Sequence, residues 1–381
     1  MTKYLLGLIS LCLMCSCSDT APGETPPIDP PTPTPTVTIT KPEFVFGFQG
    51  QSKYSYCPSA LKQADGTVHL YFCGNPENLI MVDNIFHIKI NPDGTQTAAK
   101  SVLQPGVPGS WDDHHTCDPS VIEGNFTWKN TTYKYAMFFL SNMYGVYYNE
   151  IGVAFSNDLD TDSWVKYPQQ IVKKTWSSEG DQEIGGSGKS WGVGQPSVVS
   201  LDGKGKLLLT YTVGDIGGTR IVWTEADFSN MDTYSISTPQ TIVQTGLKAI
   251  DNQSMDYTCN SEFAIDKDAD KIVMIRPVQP MPNDYPNYLN SSLEIDYMNL
   301  SDFTNQRGNW TPIYRITPDD TGYPRNHNAT LLRDNFGHLQ DWEEPEFYFT
   351  VSKAAPDVQP SGSSHAEWTY HIWKSKVVKS K

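Results

Sequence analysis

Five short stretches set a residue with useful chemistry directly ahead of an apolar strand. Residues 115–124 read HTCDPSVIEG, with Asp118 before Pro119 and Ser120. The same slot holds Cys57 in YCPSA, Gln195 in GQPSV, Ser261 in CNSEF and His327 in NHNAT. One step upstream stand Tyr56, Cys117, Gly194, Asn260 and the pair Arg325–Asn326. Brought to one pocket, these amides, rings and charges can hydrogen-bond a polyhydroxylated ligand. A pair of carboxylates there can act as general acid and base. Polar residues at a wet rim are the alternative reading of each slot. The variation of Asp, Gln and His from copy to copy favours a site.

Further carboxylates lie near these slots. Glu262 follows Ser261 and is the preferred second acid, with Asp113 of SWDDHHTCD next. Reserve groups are Asp112, then Glu179, Asp181 and Glu183 in SSEGDQEIGG, then Glu343, Glu344 and Glu346 in DWEEPEF. Tyr54, Tyr56, Trp111, Trp176 and Trp191 lead into the same strands and could stack on a ligand face, although a core role accounts equally well for any one ring. His115 beside them is a further candidate for holding a ligand. GGSGKS at 185–190 lacks the first glycine and the preceding strand of a phosphate-binding loop. The adjacent residues of DDHH point apart in extended chain, which argues against a metal site there.

What must position these slots is a repeat. Residues 57–75, 118–142, 195–215, 261–278 and 327–352 each read as an apolar strand, a polar turn and a second apolar or aromatic strand. Their starts, at positions 57, 118, 195, 261 and 327, are nearly evenly spaced along the chain. A third and fourth strand follow, as in IGVAFSNDLDTDSWVKY, and helical periodicity is lacking. Four strands repeated at this even spacing predict an all-β, five-bladed β-propeller over 43–381, with blades starting near 57, 118, 195, 261 and 327. In that architecture the first strand of each blade lines the central channel, so the five slots meet at one mouth.

The flanks and composition set the context. Lys3, the apolar run Tyr4–Met14 and LMCSC form a secretory signal over residues 1–17, which resembles a lipoprotein lipobox with Cys17 as the lipidated residue. Residues 18–42, rich in Pro and Thr, read as an extended tether. The chain is therefore expected at the cell envelope, touching a membrane only through its lipid. Acids outnumber bases 43 to 28, for a net charge of −15, which argues against nucleic acid or anionic lipid as partner. A monomer is expected. Cys57, Cys73, Cys117 and Cys259 remain in the body, and Cys57 and Cys73 flank a predicted hairpin at Ala64–Gly66. They form a cross-strand disulfide there or stay as buried thiols.

With CDPSV, IGVAFSNDLDTDSWVKY and NHNATLL on the page, the chain resembles the five-bladed propeller glycoside hydrolases, namely the family 43 arabinanase and β-xylosidase group and the invertase-like group. The resemblance covers about residues 45–378 and is one of pattern. It implies a catalytic base in the first-blade slot, where Cys57 stands. It implies a tuning carboxylate at Asp118, an acid at the place held by Gly194, and a channel imidazole at His327 that holds calcium or water. No cofactor is implied as required. Only one of the three expected carboxylates is in register. Two functions follow as expectations. One is a glycoside hydrolase with a rearranged set, Asp118 with Glu262 and Asp113, its oligo- or polysaccharide held by Tyr56, Trp111, His115, Trp191, Gln195, Asn260, Arg325 and Asn326. The other is a surface glycan-binding propeller that does not cleave.

Overall fold

Each repeat folds into an antiparallel sheet whose strands follow chain order outward. In this computed structural model the described residues are 36–49, 53–77, 82–146, 148–174, 191–215, 218–254, 258–279, 290–352 and 370–380. Blade one comprises Tyr54–Lys62, Val68–Asn75, Asn84–Ile90 and Lys100–Leu103. Blade two comprises His115–Trp128, Thr131–Asn142, Glu150–Ser156 and Val165–Lys166. Blade three runs Gly192–Ser200, Lys206–Asp215 and Gly218–Asp227, edged by Ser235–Ile236 and Gln240–Thr241. Blade four has Glu262–Asp266, Lys271–Pro277, Leu293–Asn299 and Thr311–Ile316. Blade five has Arg325–Leu331, Glu346–Ser352 and His371–Lys379. The first strands contact one another in chain order and the fifth contacts the first, closing the ring. The chain is a five-bladed β-propeller, as the period predicts.

Burial on both faces explains the continuous apolar runs of the middle strands. Along Val68–Asn75, Leu70 and Phe72 turn toward blade five while Tyr71 turns toward blade two. One core cluster fills each of the five gaps between blades. Each fully buried large side chain adds about 1.5–3 kcal/mol by leaving water.

The outer strands of blade five come from the other end of the chain. Val37–Ile39 pairs with Val377 to Lys379, and Glu43–Phe46 pairs with Ile372 to Lys374. Val37–Ile39 lies within the 18–42 stretch expected to be tether. The alternation of VTIT places Val37 and Ile39 against the blade four–five core. The ordered sheet therefore starts earlier than expected.

The cysteines also depart from expectation. Cys73 is bonded to Cys117, with Cα atoms 5.0 Å apart, and Cys57 and Cys259 are free. The cross-strand partner of Cys73 is Tyr56, and the irregularity between Tyr56 and Ser59 takes Cys57 out of that register. Cys117 arrives instead from the first strand of blade two and ties it to the second strand of blade one.

Candidate functional site

In or just ahead of the first strand of each blade, one slot residue adopts the left-handed backbone region. These are Cys57, Asp118, Gln195, Asn260 and Asn328, with φ of 48°, 48°, 54°, 49° and 41°. Such a conformation costs about 1–2 kcal/mol for a residue with a Cβ, least for Asn and Asp. In blades one, two, three and five it coincides with a bulge, where the ladder skips and the strand re-aims its side chains. Pro58, Pro119 and Pro196 fit inside these bulges because each first strand is a sheet edge that faces the channel. Two slots read from sequence shift by one residue. Blade four uses Asn260 rather than Ser261, and blade five uses Asn328 rather than His327. The signal was present in the next two positions: PS in three blades, SE in blade four and AT in blade five.

These five residues line one pocket at the channel mouth. A chain of hydrogen bonds links them. Asn328 Nδ2 donates to Cys57 Sγ, and the Cys57 thiol bonds the Asp118 carboxylate. The Gln195 N–H also donates to Asp118, and Gln195 Oε1 accepts from the Asn260 N–H at 3.0 Å. The Asp118 N–H donates to Cys73 Sγ at 2.9 Å, which fixes the slot against the disulfide. Burial pushes the Asp118 carboxyl up to about 6, Asp83 adds to that rise, and the Cys57 thiol and His115 oppose it. Burial and Asp118 push the Cys57 thiol up, so it stays protonated.

Behind this ring sits a carboxylate that the sequence reading missed. Asp83 is 1% exposed and accepts from the Tyr54 and Tyr56 hydroxyls, both at 2.6 Å. Its other neighbour is His115, whose Nδ1 lies 3.8 Å from Asp83 Oδ2. Neither ring nitrogen of His115 has a hydrogen-bond partner among the described residues. Asp83 lies ahead of a third strand, outside every repeated slot, so no pattern marks it. Tyr56 is thus a support for Asp83, and its hydroxyl sits 3.2 Å from Cys117 Sγ.

Glu262 occupies the position that Ser59, Ser120, Ser197 and Thr330 hold in the other blades. There it joins blades rather than facing a ligand. Ser120 Oγ accepts from Val198 N and Ser197 Oγ from Phe263 N, at 3.2 and 3.0 Å. Glu262 Oε2 accepts likewise from Leu331 N at 2.6 Å and from the Thr330 hydroxyl. Its Oε1 pairs with Arg333 Nη2 at 2.9 Å. Burial pushes its carboxyl up, and Arg333, Thr330 and Leu331 pull it back. Both oxygens are engaged, although the group borders the pocket.

The remaining sequence-derived residues divide. Asp113 is half-buried and accepts from Gly109 N and Tyr144 N, both at 2.6 Å, which holds its carboxyl below the usual range. Asp112 pairs with Lys166 at 2.6 Å. Trp111 stacks on Phe139 with centroids 5.9 Å apart, as part of the blade one–two core. Trp191 covers Gly214, where an added Cβ would lie 2.1 Å from its Nε1. Asn326 is fully buried and donates to Ser291 O and Tyr323 O, at 2.8 and 3.1 Å. Arg325 is buried beside it. Glu344 and Glu346 border a separate pocket that Arg333 and Lys62 also line, and Glu343 pairs with Lys379 at 2.9 Å. Trp176, Glu179, Asp181 and Glu183 lie outside the described residues.

His327 is buried, packs edge-on to Tyr370 with centroids 5.0 Å apart, and does not line the mouth pocket. Burial and then Arg325 bring its imidazole down to about 3. Calcium takes six to eight oxygens. A neutral imidazole beside a guanidinium does not fit that ion, and Asp118 is the one mouth carboxylate not held in an ion pair among the described residues.

No protein-family model matches the chain, and no curated protein matches it in sequence. In structure it is similar to a family 117 glycoside hydrolase produced by the marine bacterium Zobellia galactanivorans, with a TM-score of 0.56, 10% identity and 90% of each chain covered. It is similar to an α-L-arabinofuranosidase from Lactobacillus brevis, with a TM-score of 0.54, 10% identity, and 84% of this chain and 90% of that one covered. It is also similar to an α-L-arabinofuranosidase from Podospora anserina, solved in complex with cellotriose, with a TM-score of 0.51, 10% identity, and 88% and 95% covered. At these identities the likeness is one of fold.

Proposed function

We propose that this chain acts on glycans and hydrolyses a glycosidic bond at the channel mouth, with Asp118 as proton donor. The observation that carries the reading is Asp118 itself. Its backbone aims it into the pocket, and burial raises its carboxyl to about 6, so in mildly acid solution it holds a proton to give to a leaving oxygen. The substrate class is drawn from the glycosidases whose fold the chain shares. Asp118→Asn should lower release of reducing ends by at least about 100-fold, the usual contribution of general acid catalysis.

A second reading has its own support. Cys57 and Gly194 stand where the resemblance expects base and acid, and Glu262 is fully engaged. A propeller that binds glycan without cleaving it would give calorimetric binding and no product after long incubation, which would end the hydrolase reading.

The place of action follows from the leader. Cys17 is the lipidated residue, and the chain acts at the cell envelope. Labelling with a radioactive fatty acid that persists in Cys17→Ala would refute this.

A further inference from the structure

A second cluster of ligating side chains lies away from the mouth, between blades one and two. His69 and His87 are 6% and 3% exposed, on neighbouring strands of blade one. His69 pairs with Lys89 across the ladder, and Tyr71 pairs with His87, so all four side chains share the face turned to blade two. His69 Nδ1 and His87 Nε2 are 3.0 Å apart. The rings are nearly parallel, at 9°. Asp160, from the turn after the third strand of blade two, puts Oδ1 3.9 Å from His69 Nδ1. That turn is pinned, because the Tyr71 hydroxyl donates to Leu159 O at 2.8 Å and Asp158 accepts from Asp160 N at 2.9 Å.

We infer that His69, His87 and Asp160 form a binding site for a zinc-class divalent ion that clamps blade one to blade two. Donors around tetrahedral zinc, bound at 2.0–2.1 Å, stand roughly 3.3 Å from one another. The three donor atoms here all lie within 4.8 Å of one another, so a small tilt of each imidazole and one carboxylate rotation would close the set. Two imidazoles and a carboxylate suit a borderline ion, and the fourth position would take water. The hydrogen bond between the rings now holds one proton on the shared edge. An ion would take that edge, with the ring that now donates changing tautomer.

The charges around the cluster set its selectivity. Asp65, Asp158 and Asp160 face His69 with negative potential. Lys89 and Lys100 oppose it, and Lys89 Nζ holds Asp160 Oδ2 at 3.1 Å. An entering ion must displace Lys89 from that carboxylate. Asp160 is 48% exposed, so the approach is from solvent on its side. The other group of potential ligands among the described residues, Cys57, Cys73, Cys117 and Asp118, is closed by the disulfide.

The test is titration of chelator-treated protein with cobalt(II) and then zinc(II). One cobalt per chain is expected, giving the visible bands of a four- or five-coordinate complex without the charge-transfer band of thiolate ligands, and zinc should bleach it. Asp160→Asn, at a half-exposed turn, should weaken binding at least tenfold. Lys89→Met, which frees the carboxylate, should tighten it about tenfold, within the usual reach of groups that contact a ligand. His87→Gln should abolish it. Absence of saturable binding would overturn the site. So would binding of unchanged strength in both Asp160→Asn and His87→Gln.

Discussion

At the scale of single residues, the mouth is defined by backbone conformation as much as by side-chain type. Asp118 and Gln195 were legible because Pro and Ser follow them. Asn328 was misplaced by one residue because a bulge changes the count along a strand without changing composition, and Asn260 because it lies ahead of the first paired residue of its blade, Glu262. Asp83 was illegible, since it lies outside the repeat. Asp118 carries a pH signature. Its pKa rises on folding from about 3.8 to about 6, so the protonated form is the one the fold favours. The associated stability is full below about 3.8 and is lost as pH rises through about 6. Hydrolysis that uses this proton should likewise fall above pH 6, and a rate profile flat from pH 5 to 8 would contradict the assignment. Glu262→Gln separates a staple from an acid. Loss of the charge facing Arg333 should cost about 3 kcal/mol in denaturant unfolding, as broken buried pairs do. Activity per folded molecule should stay close to the parent's.

At the scale of elements, Cys73–Cys117 is the covalent tie between blades one and two. It closes a span of 44 residues. Cys117→Ser should lower unfolding free energy by about 2–5 kcal/mol, measured without reductant. An unchanged denaturation midpoint would mean that the noncovalent core alone joins these blades. Sequence alone did not set the pairing, and the Cys57–Cys73 bond suggested by hairpin proximity does not form. Proximity across a hairpin depends on register, which the bulge at Cys57 altered. The strand at Val37–Ile39 was hidden for a different reason. Its Pro- and Thr-rich surroundings have the composition of a linker, while its pairing partners, Val377 to Lys379, lie in the last strand of the propeller. Ile39→Asp should lower the thermal midpoint by loosening the outer edge of blade five.

At the scale of the molecule, the architecture was the most legible feature, because one phrase recurs in all five blades at a nearly even spacing and needs no single residue to be read correctly. The global response to acid follows from burial of neutral imidazoles. His87 and His327 fall from about 6.5 to about 3 on folding, with burial the leading cause in each. The stability they contribute is full above about 6.5 and is lost as pH falls toward 3, because the unfolded chain binds protons that the fold excludes. The thermal midpoint should therefore drop between pH 7 and 4, and His87→Gln should flatten that drop. A slope unchanged by the substitution would place the acid sensitivity elsewhere. The pairing of Val37–Ile39 and Glu43–Phe46 with His371–Lys379 has a consequence for biogenesis. Val37–Ile39 and Glu43–Phe46 are synthesised long before the strand they pair with, so they must wait unpaired until His371–Lys379 arrives, and the circle can seal only then.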